Sequence, residues 1–479
     1  MWRGEKSGRT SYVRHYVVSA VLILAVSLGL GAGELRKAKD YPDPVPLQMA
    51  GLLGNDDAIY LIPPKEVRGA AYLPGSNVLS LSNGSLRHLP PGATEPVIVP
   101  SGDRNARKAV AESRAWLEQG TVPGSNQKDR QMAQRALLDL RLLTDPNGAA
   151  VAAPSRRWNY VWPRDASWTA AAFAATGHHE ESYKILRFLA AAQKDDGTWE
   201  ARYEADGSPM LDGRAPQLDA TGWFTWAVWF HTVTAPEDME QKPEILWPAV
   251  SKAADAAAAS LGPDGLPPGG PDYWEISTWR PNLGTAAPLR TGLRASADLA
   301  RQLGHDEKAA RYADAAFALN QGIESNFAPL GYQRTTRPGS GADAAVNFLA
   351  PPFSPPQPDV DNAIDAAAKK LRAPNGGMLP GEKWRQKPTV SWTPETAFFA
   401  LSAAASGDDE TADRWLAWLA DHRTELGSFP EKVDGAGDPQ AVAPLGWTSA
   451  AVLLALTARD HPVPVPSVPD RLQGDEPGY

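Results

Sequence analysis

"TAFFALSAAASGDDETADRWLAWLADHR" runs from Thr396 to Arg423 and reads as one helical hairpin. Its first half is apolar on every side, the mark of a buried helix. Its second half sets Trp and Leu on one stripe and Asp, Glu and Arg on the other, as an outer helix would. Only a Ser-Gly-Asp-Asp stop separates the halves, so they must fold back as antiparallel neighbours. The same punctuation recurs in "ATGHHEES", Ala175–Ser182, and in "QLGHDEK", Gln302–Lys308. "SAAVLLAL", Ser449–Leu456, is another inner-type run. Helical periodicity places twelve helices near 107–119, 127–144, 165–177, 179–193, 217–233, 244–260, 287–303, 305–326, 359–372, 393–406, 408–423 and 445–458. Six hairpins in a row predict an all-α fold, an (α/α)6 barrel over residues 107–459. Long loops gathered on one rim would carry function.

The flanks differ from this body. Arg3, Lys6, Arg9 and Arg14 lie in a basic stretch, residues 1–15, ahead of an uncharged apolar run at 16–33, "YVVSAVLILAVSLGLGAG". This is the layout of a signal anchor or a cleaved signal peptide. The run is at the lower edge of what spans a bilayer. An uncleaved single-pass anchor is the first reading and a cleaved signal the second; both put the body outside the cytoplasm. Residues 34–106 read as a linker and a small irregular, β-containing lead-in, with β-like runs such as "DAIYLI". Residues 460–479 are a Pro-rich tail.

Composition narrows the chemistry. The 479 residues carry a net charge of −9 and no basic block in the body, which argues against nucleic acid as a partner. There is no Cys, so no disulfide, thiol nucleophile or zinc–thiolate site. Trp is frequent, at 17 residues, and clusters with charge in "RRWNYVWPRDASW", Arg156–Trp168. Pro163 and adjacent charges do not suit a core strand, and three Trp do not suit a solvated face. The mixture suits a concave site that stacks on a ring and hydrogen-bonds its edge.

Two other loops place carboxyls among aromatics: "GGPDYWEISTW", Gly269–Trp279, with Glu275, and "LGSFPEKVDGAGDPQAVAPLGW", Leu426–Trp447, with Glu431. Glycosidic hydrolysis needs two such groups, a protonated acid and a base or nucleophile. Glu275, directly after Tyr273-Trp274, suits a desolvated acid. Glu431, in a Gly-rich polar loop, suits a solvated base. Arg164 and Asp165 could grip sugar hydroxyls, and Asp165 could also cap the helix that follows. Taken singly, a loop Glu is most often a solvated surface residue and an Arg–Asp pair a rim salt bridge.

Together, "YVWPRDASW", "DYWEI" and "GSFPEKVD…PLGWTSAAVLLAL" resemble the signature regions of glycoside hydrolase family 15, the glucoamylase family. "GRAPQLDATGW", Gly213–Trp223, is similar to a further family segment. The resemblance spans about 105–458. It implies an (α/α)6 barrel and inverting hydrolysis of terminal α-glucosidic bonds of an oligosaccharide, with no metal or cofactor. It also implies Glu275 as general acid, Glu431 as general base, Arg164 and Asp165 as the clamp on the terminal glucose, and Trp274 and Trp162 as walls. The chain departs from the family where Ile276 replaces a second acidic residue. Residues 40–106 are too few for the β-sandwich of bacterial members, and no starch-binding module is visible. A later substrate-binding Arg has only Lys383 or Arg385 as candidates. Rival readings are a trehalose or isomalto-oligosaccharide hydrolase on the same barrel, and a catalytically silent carbohydrate-binding envelope protein. A toroid for lipid-like cyclisation would need an Asp-rich motif that the sequence lacks.

Overall fold

The computed structural model describes residues 43–55, 58–155, 157–236 and 243–467. The apolar run at 16–33 and the end of the tail lie outside them. Among the described residues no helix is long and apolar enough to cross a membrane. The chain divides into two compact units, Met1–Asp43 with Arg385–Lys387, and Pro44–Trp384 with Pro388–Tyr479. The second holds everything discussed below.

Its helices are α1 (Arg104–Leu117), α2 (Gln127–Leu142), α3 (Pro163–Ala175), α4 (His179–Ala192), α5 (Asp219–Thr234), α6 (Trp247–Ala259), α7 (Leu283–Gln302), α8 (Asp306–Asn326), α9 (Pro358–Leu371), α10 (Thr393–Ala405), α11 (Asp409–Asp421) and α12 (Gly446–Asp460). Three hairpins share one stop. Gly177, Gly304 and Gly407 follow α3, α7 and α10 with φ of 79°, 76° and 78°, a conformation that a Cβ would strain. At each, the next residue's N–H bonds back to the third carbonyl from the helix end: His178 to Phe173, His305 to Ala300 and Asp408 to Ala403. This double-bonded glycine cap consumes the helix's orphan carbonyls and reverses the chain at once.

Around the ring, α3 packs against α5, α5 against α7, α10 against α12, and α12 back against α3. The gap between α7 and α10 is filled by a 3-10 segment, Ala344–Leu349, which touches both. Outside lie α4, α6, α8, α9 and α11, with α2 packed on α12. The sequence reading paired α1 with α2 and placed both in the ring. Instead, α1 packs against α2 and strand β5 (Leu86–His88) outside it, and the short 3-10 turn takes the sixth inner place. The turn is brief because Pro351 and Pro352 follow it and cannot continue the ladder.

The core is aromatic at the barrel's centre. Trp168 of α3 is fully buried, 5.1–6.0 Å from the rings of Trp223, Trp226, Phe348, Phe353, Phe398 and Trp447. Tilted and edge-to-face pairs of this kind add to the area they bury.

The strands are short. β1 (Gly51–Gly54) pairs antiparallel with β2 (Ile59–Ile62). β3 (Ala71–Tyr72), β4 (Leu79–Ser80), β5 and β6 (Val97–Val99) form an antiparallel meander. They rest on α2, where Arg135 stacks 4.1 Å over Tyr72 and donates to Asn77 at 2.7 Å. A third sheet joins β7 (Ser391–Trp392), β8 (Lys432–Val433) and β9 (Pro439–Gln440), tying the start of α10 to the loop that carries Glu431.

Candidate active site

Turns at one barrel end are as short as 176–178, 303–305 and 406–408, whereas the other end carries 143–162, 193–218, 260–282, 327–343, 372–392 and 422–445. The inner α-helices all begin at the long-loop rim. Their N-termini therefore converge there, with partial positive charge that favours carboxylates.

Arg164 and Asp165 stand in the first turn of α3, both buried. The Arg164 guanidinium lies 4.7 Å over the Trp447 ring. It donates to Gln217 Oε1 at 2.5 Å and pairs with Asp165 at 3.2 Å and Asp219 at 3.4 Å. Burial pushes the Asp165 and Asp219 carboxyls up to about 6, against the downward pull of Arg164. Asp165 does not cap α3: the N-cap is Trp162, and no side chain caps there. The segment Gly213–Trp223 thus enters the site through Gln217 and Asp219, which sequence reasoning left unassigned.

Glu275 closes a turn, its N–H donating to the Asp272 carbonyl at 2.8 Å. Its φ is +57°, left-handed for a residue with a Cβ, which costs on the order of 1 kcal/mol or more. A buried network holds that strain. Arg334 Nη2 donates to both Asp272 oxygens at 2.8 and 2.9 Å, and the Tyr273 hydroxyl donates to Asp343 at 2.7 Å. Trp274 is sandwiched: the Arg334 guanidinium lies 3.7 Å from one face, and a Cβ on Gly381 would meet the ring at 2.2 Å. The carboxyl itself projects outward, with a side-chain exposure of 30%. Trp162 Nε1 donates to Oε1 at 2.6 Å, and Arg214 Nε stands 3.3 Å from Oε2.

Glu431 is the buried one. Trp158 Nε1 donates to Oε1 at 3.3 Å, and Lys432 Nζ lies 3.5 Å from Oε2. Its backbone is zipped to α10, since Thr393 N–H donates to the Glu431 carbonyl at 3.1 Å and the Thr393 hydroxyl donates to Pro430. Burial raises the Glu431 carboxyl above its usual range, Lys432 and the Trp158 N–H oppose the rise, and the charge of Glu275 adds to it. The charge of Glu275 also raises Asp165, behind burial and the opposing pull of Arg164. Arg164, Asp165, Trp162, Trp274, Glu275 and Glu431 therefore share one rim.

Two expectations are reversed. Glu275 follows two aromatics in sequence, but the left-handed turn buries Tyr273 and Trp274 and swings the carboxyl into the open. Glu431 sits in a polar loop, but the pairing of β7 with β8 pulls it inside. Sequence reasoning also missed Glu395, in the first turn of the otherwise apolar α10. Its exposure is 3%, Oε2 has no hydrogen-bond partner, and burial pushes it up to about 8, with Glu431 and Asp343 adding to the rise. Its one signal was a charge at the start of an apolar run. Of the candidates for the later Arg, Lys383 is exposed two residues past Gly381, and Arg385 falls in the other compact unit.

The family model described as glycosyl hydrolases family 15 matches residues 127–404. The chain belongs to glycoside hydrolase family 15. Its (α/α)6 barrel is the glucoamylase fold. It is 24% identical over 367 residues to an uncharacterised glycosyl hydrolase of Methanocaldococcus jannaschii, covering 70% of this chain but 57% of that protein. It is 26% identical over 318 residues to the isomaltose glucohydrolase of Kribbella flavida, covering 60% and 79%. Among solved structures, a bacterial glucoamylase complexed with acarbose superposes with a TM-score of 0.61 at 18% identity, covering 78% of this chain and 64% of that one. The glucoamylase of Saccharomycopsis fibuligera gives 0.57 at 16%, covering 71% and 97%.

Proposed function

We propose that this family 15 enzyme releases glucose from the non-reducing end of small α-linked gluco-oligosaccharides with inversion. Glu275 gives its proton to the glycosidic oxygen as that bond breaks. Water adds to the anomeric carbon and loses a proton to Glu431. Arg164 and Asp165, positioned by Gln217 and Asp219, hold the terminal glucose by its hydroxyls, with Trp162 and Trp274 as walls. The observation that carries this reading is the unequal pair of carboxyls on one rim, one open beside Trp162 and one buried beside Trp158 and Lys432. A base must be ionised to take a proton, and Lys432 and the Trp158 N–H, which favour the charged carboxylate against burial, suit Glu431 to that role. The purified full chain should release glucose from maltose, maltotriose or isomaltose. Release from none of them would reject the reading.

A second reading keeps the chemistry and changes the linkage, to isomalto-oligosaccharides or trehalose. The isomaltose glucohydrolase relative and Ile276, an apolar residue after the acid, favour it. The same panel, extended by trehalose, separates the two by kcat/KM.

The enzyme is exported and tethered by residues 16–33 in this proposal. The support is the basic flank of Arg3–Arg14 ahead of an 18-residue apolar run. A reporter fused after Tyr479 should be active outside the cytoplasm; activity confined to the cytoplasm would contradict it.

A further inference from the structure

The proposed acid is flanked at both oxygens: Trp162 Nε1 donates to Oε1, and Arg214 Nε stands as an ion pair 3.3 Å from Oε2. While Arg214 stands on Oε2, it occupies the open side of the carboxyl, where the oxygen of the leaving group must be met. The reaction runs more freely when one of these donors moves aside. Trp162 is fixed, buried at the start of α3. Arg214 is the movable one: it lies on the exposed loop Leu211–Pro216 with a side-chain exposure of 36%.

Charge bookkeeping on this flank gives the reason for it to move. Arg202 stacks 5.1 Å over Trp162, and Arg214 lies 5.9 Å over the same ring. Both pair with one carboxylate, Asp212, at 2.5 and 3.4 Å. Once Glu275 carries the proton it must deliver, two guanidiniums share one negative charge. Arg214 is left as an unneutralised cation 3.3 Å from the acid, which is the side where the leaving group departs. Ile276, next in the chain, offers no carboxylate there.

Building on the proposed hydrolysis, we infer that the leaving group of the preferred substrate carries an anionic group, a carboxylate in the simplest case, which Arg214 grips. Binding then draws the guanidinium off Glu275 and frees the oxygen that donates. A neutral leaving group offers Arg214 no such partner and leaves it on the acid.

Maltobionate and maltitol test this, with their α-1,6-linked counterparts: each pair differs only in a carboxylate against a CH2OH on an open-chain leaving group. The wild type should favour the acid member by about tenfold in kcat/KM, the worth of one charge-assisted contact. Arg214→Gln should bring that ratio near one, by raising hydrolysis of the neutral member, which no longer meets a guanidinium on the acid, and lowering that of the acid member. Free gluconate added to the neutral member should produce no gain. A wild-type ratio near one, a ratio unchanged in Arg214→Gln, or the same gain from free gluconate would overturn the inference and leave the hydrolase reading standing. Glucose from no member of either pair, or from maltose or isomaltose, would instead defeat the hydrolase reading and the inference with it.

Discussion

Glu275→Gln lowers kcat by about 10²–10⁴-fold, the usual worth of a general acid, and leaves substrate binding intact. Gln keeps the shape of the side chain and its contact with Trp162 Nε1 at Oε1, but has no proton to give. Glu431→Gln costs a similar factor for the opposite reason, because an amide cannot take the proton of the attacking water. The two should differ in pH dependence. Burial holds the Glu431 carboxyl above its usual range, so the base fills with a proton before the pH falls to the ordinary carboxylate value. Wild-type kcat/KM should therefore decline on the acid side from a higher pH than an exposed Glu would set. Steady-state kinetics of both variants across pH check this, and a loss below about tenfold in either would reject its assignment.

Glu395→Gln should stabilise the protein above neutrality and do little in acid. The folded chain holds the Glu395 proton up to about pH 8, against an ordinary value of 4.5. Once unfolded, the chain releases it above that ordinary value. The stability this raised affinity confers is fully present below about pH 4.5. It is lost as pH rises toward 8, over a range worth on the order of a few kcal/mol. Asp165, Asp219 and Asp343, all buried and all raised, act with the same sign. Wild-type Tm should thus fall between pH 5 and 8, and Glu395→Gln should remove part of that slope. Equal slopes for the two proteins would show that Glu395 is not held protonated. An ionisable group without a hydrogen-bond partner at Oε2 is a costly thing to bury. Its place beside Glu431 suggests that the site, rather than the fold, is what retains it.

The helices were legible because their signals are local. Apolar periodicity and the Gly stops after α3, α7 and α10 can be read within a few residues of where they act. Ring membership was not legible. α1 has a good amphipathic pattern, with Ala106, Val110, Trp116 and Leu117 buried, yet it serves the β lead-in. The sixth inner element is two short turns that Pro351 ends, too brief for a helical period to register. At the site, residue types could be read but environments could not. The exposure of Glu275 depends on a left-handed turn held by Arg334, and the burial of Glu431 on strands some forty residues apart. Arg214 and Glu395 escaped notice because their meaning comes from partners distant in sequence.

The central claim is direct displacement by water, which requires carboxyls about 6.5–9.5 Å apart rather than the 5–5.5 Å of a double displacement. Its most direct test is the anomer of the first product, followed by proton NMR in the opening minutes of hydrolysis of an α-linked disaccharide. The account predicts β-glucose, appearing before mutarotation supplies the α form. If α-glucose appears first, configuration is retained, Glu431 is not activating water against the far face, and the mechanism proposed here is wrong.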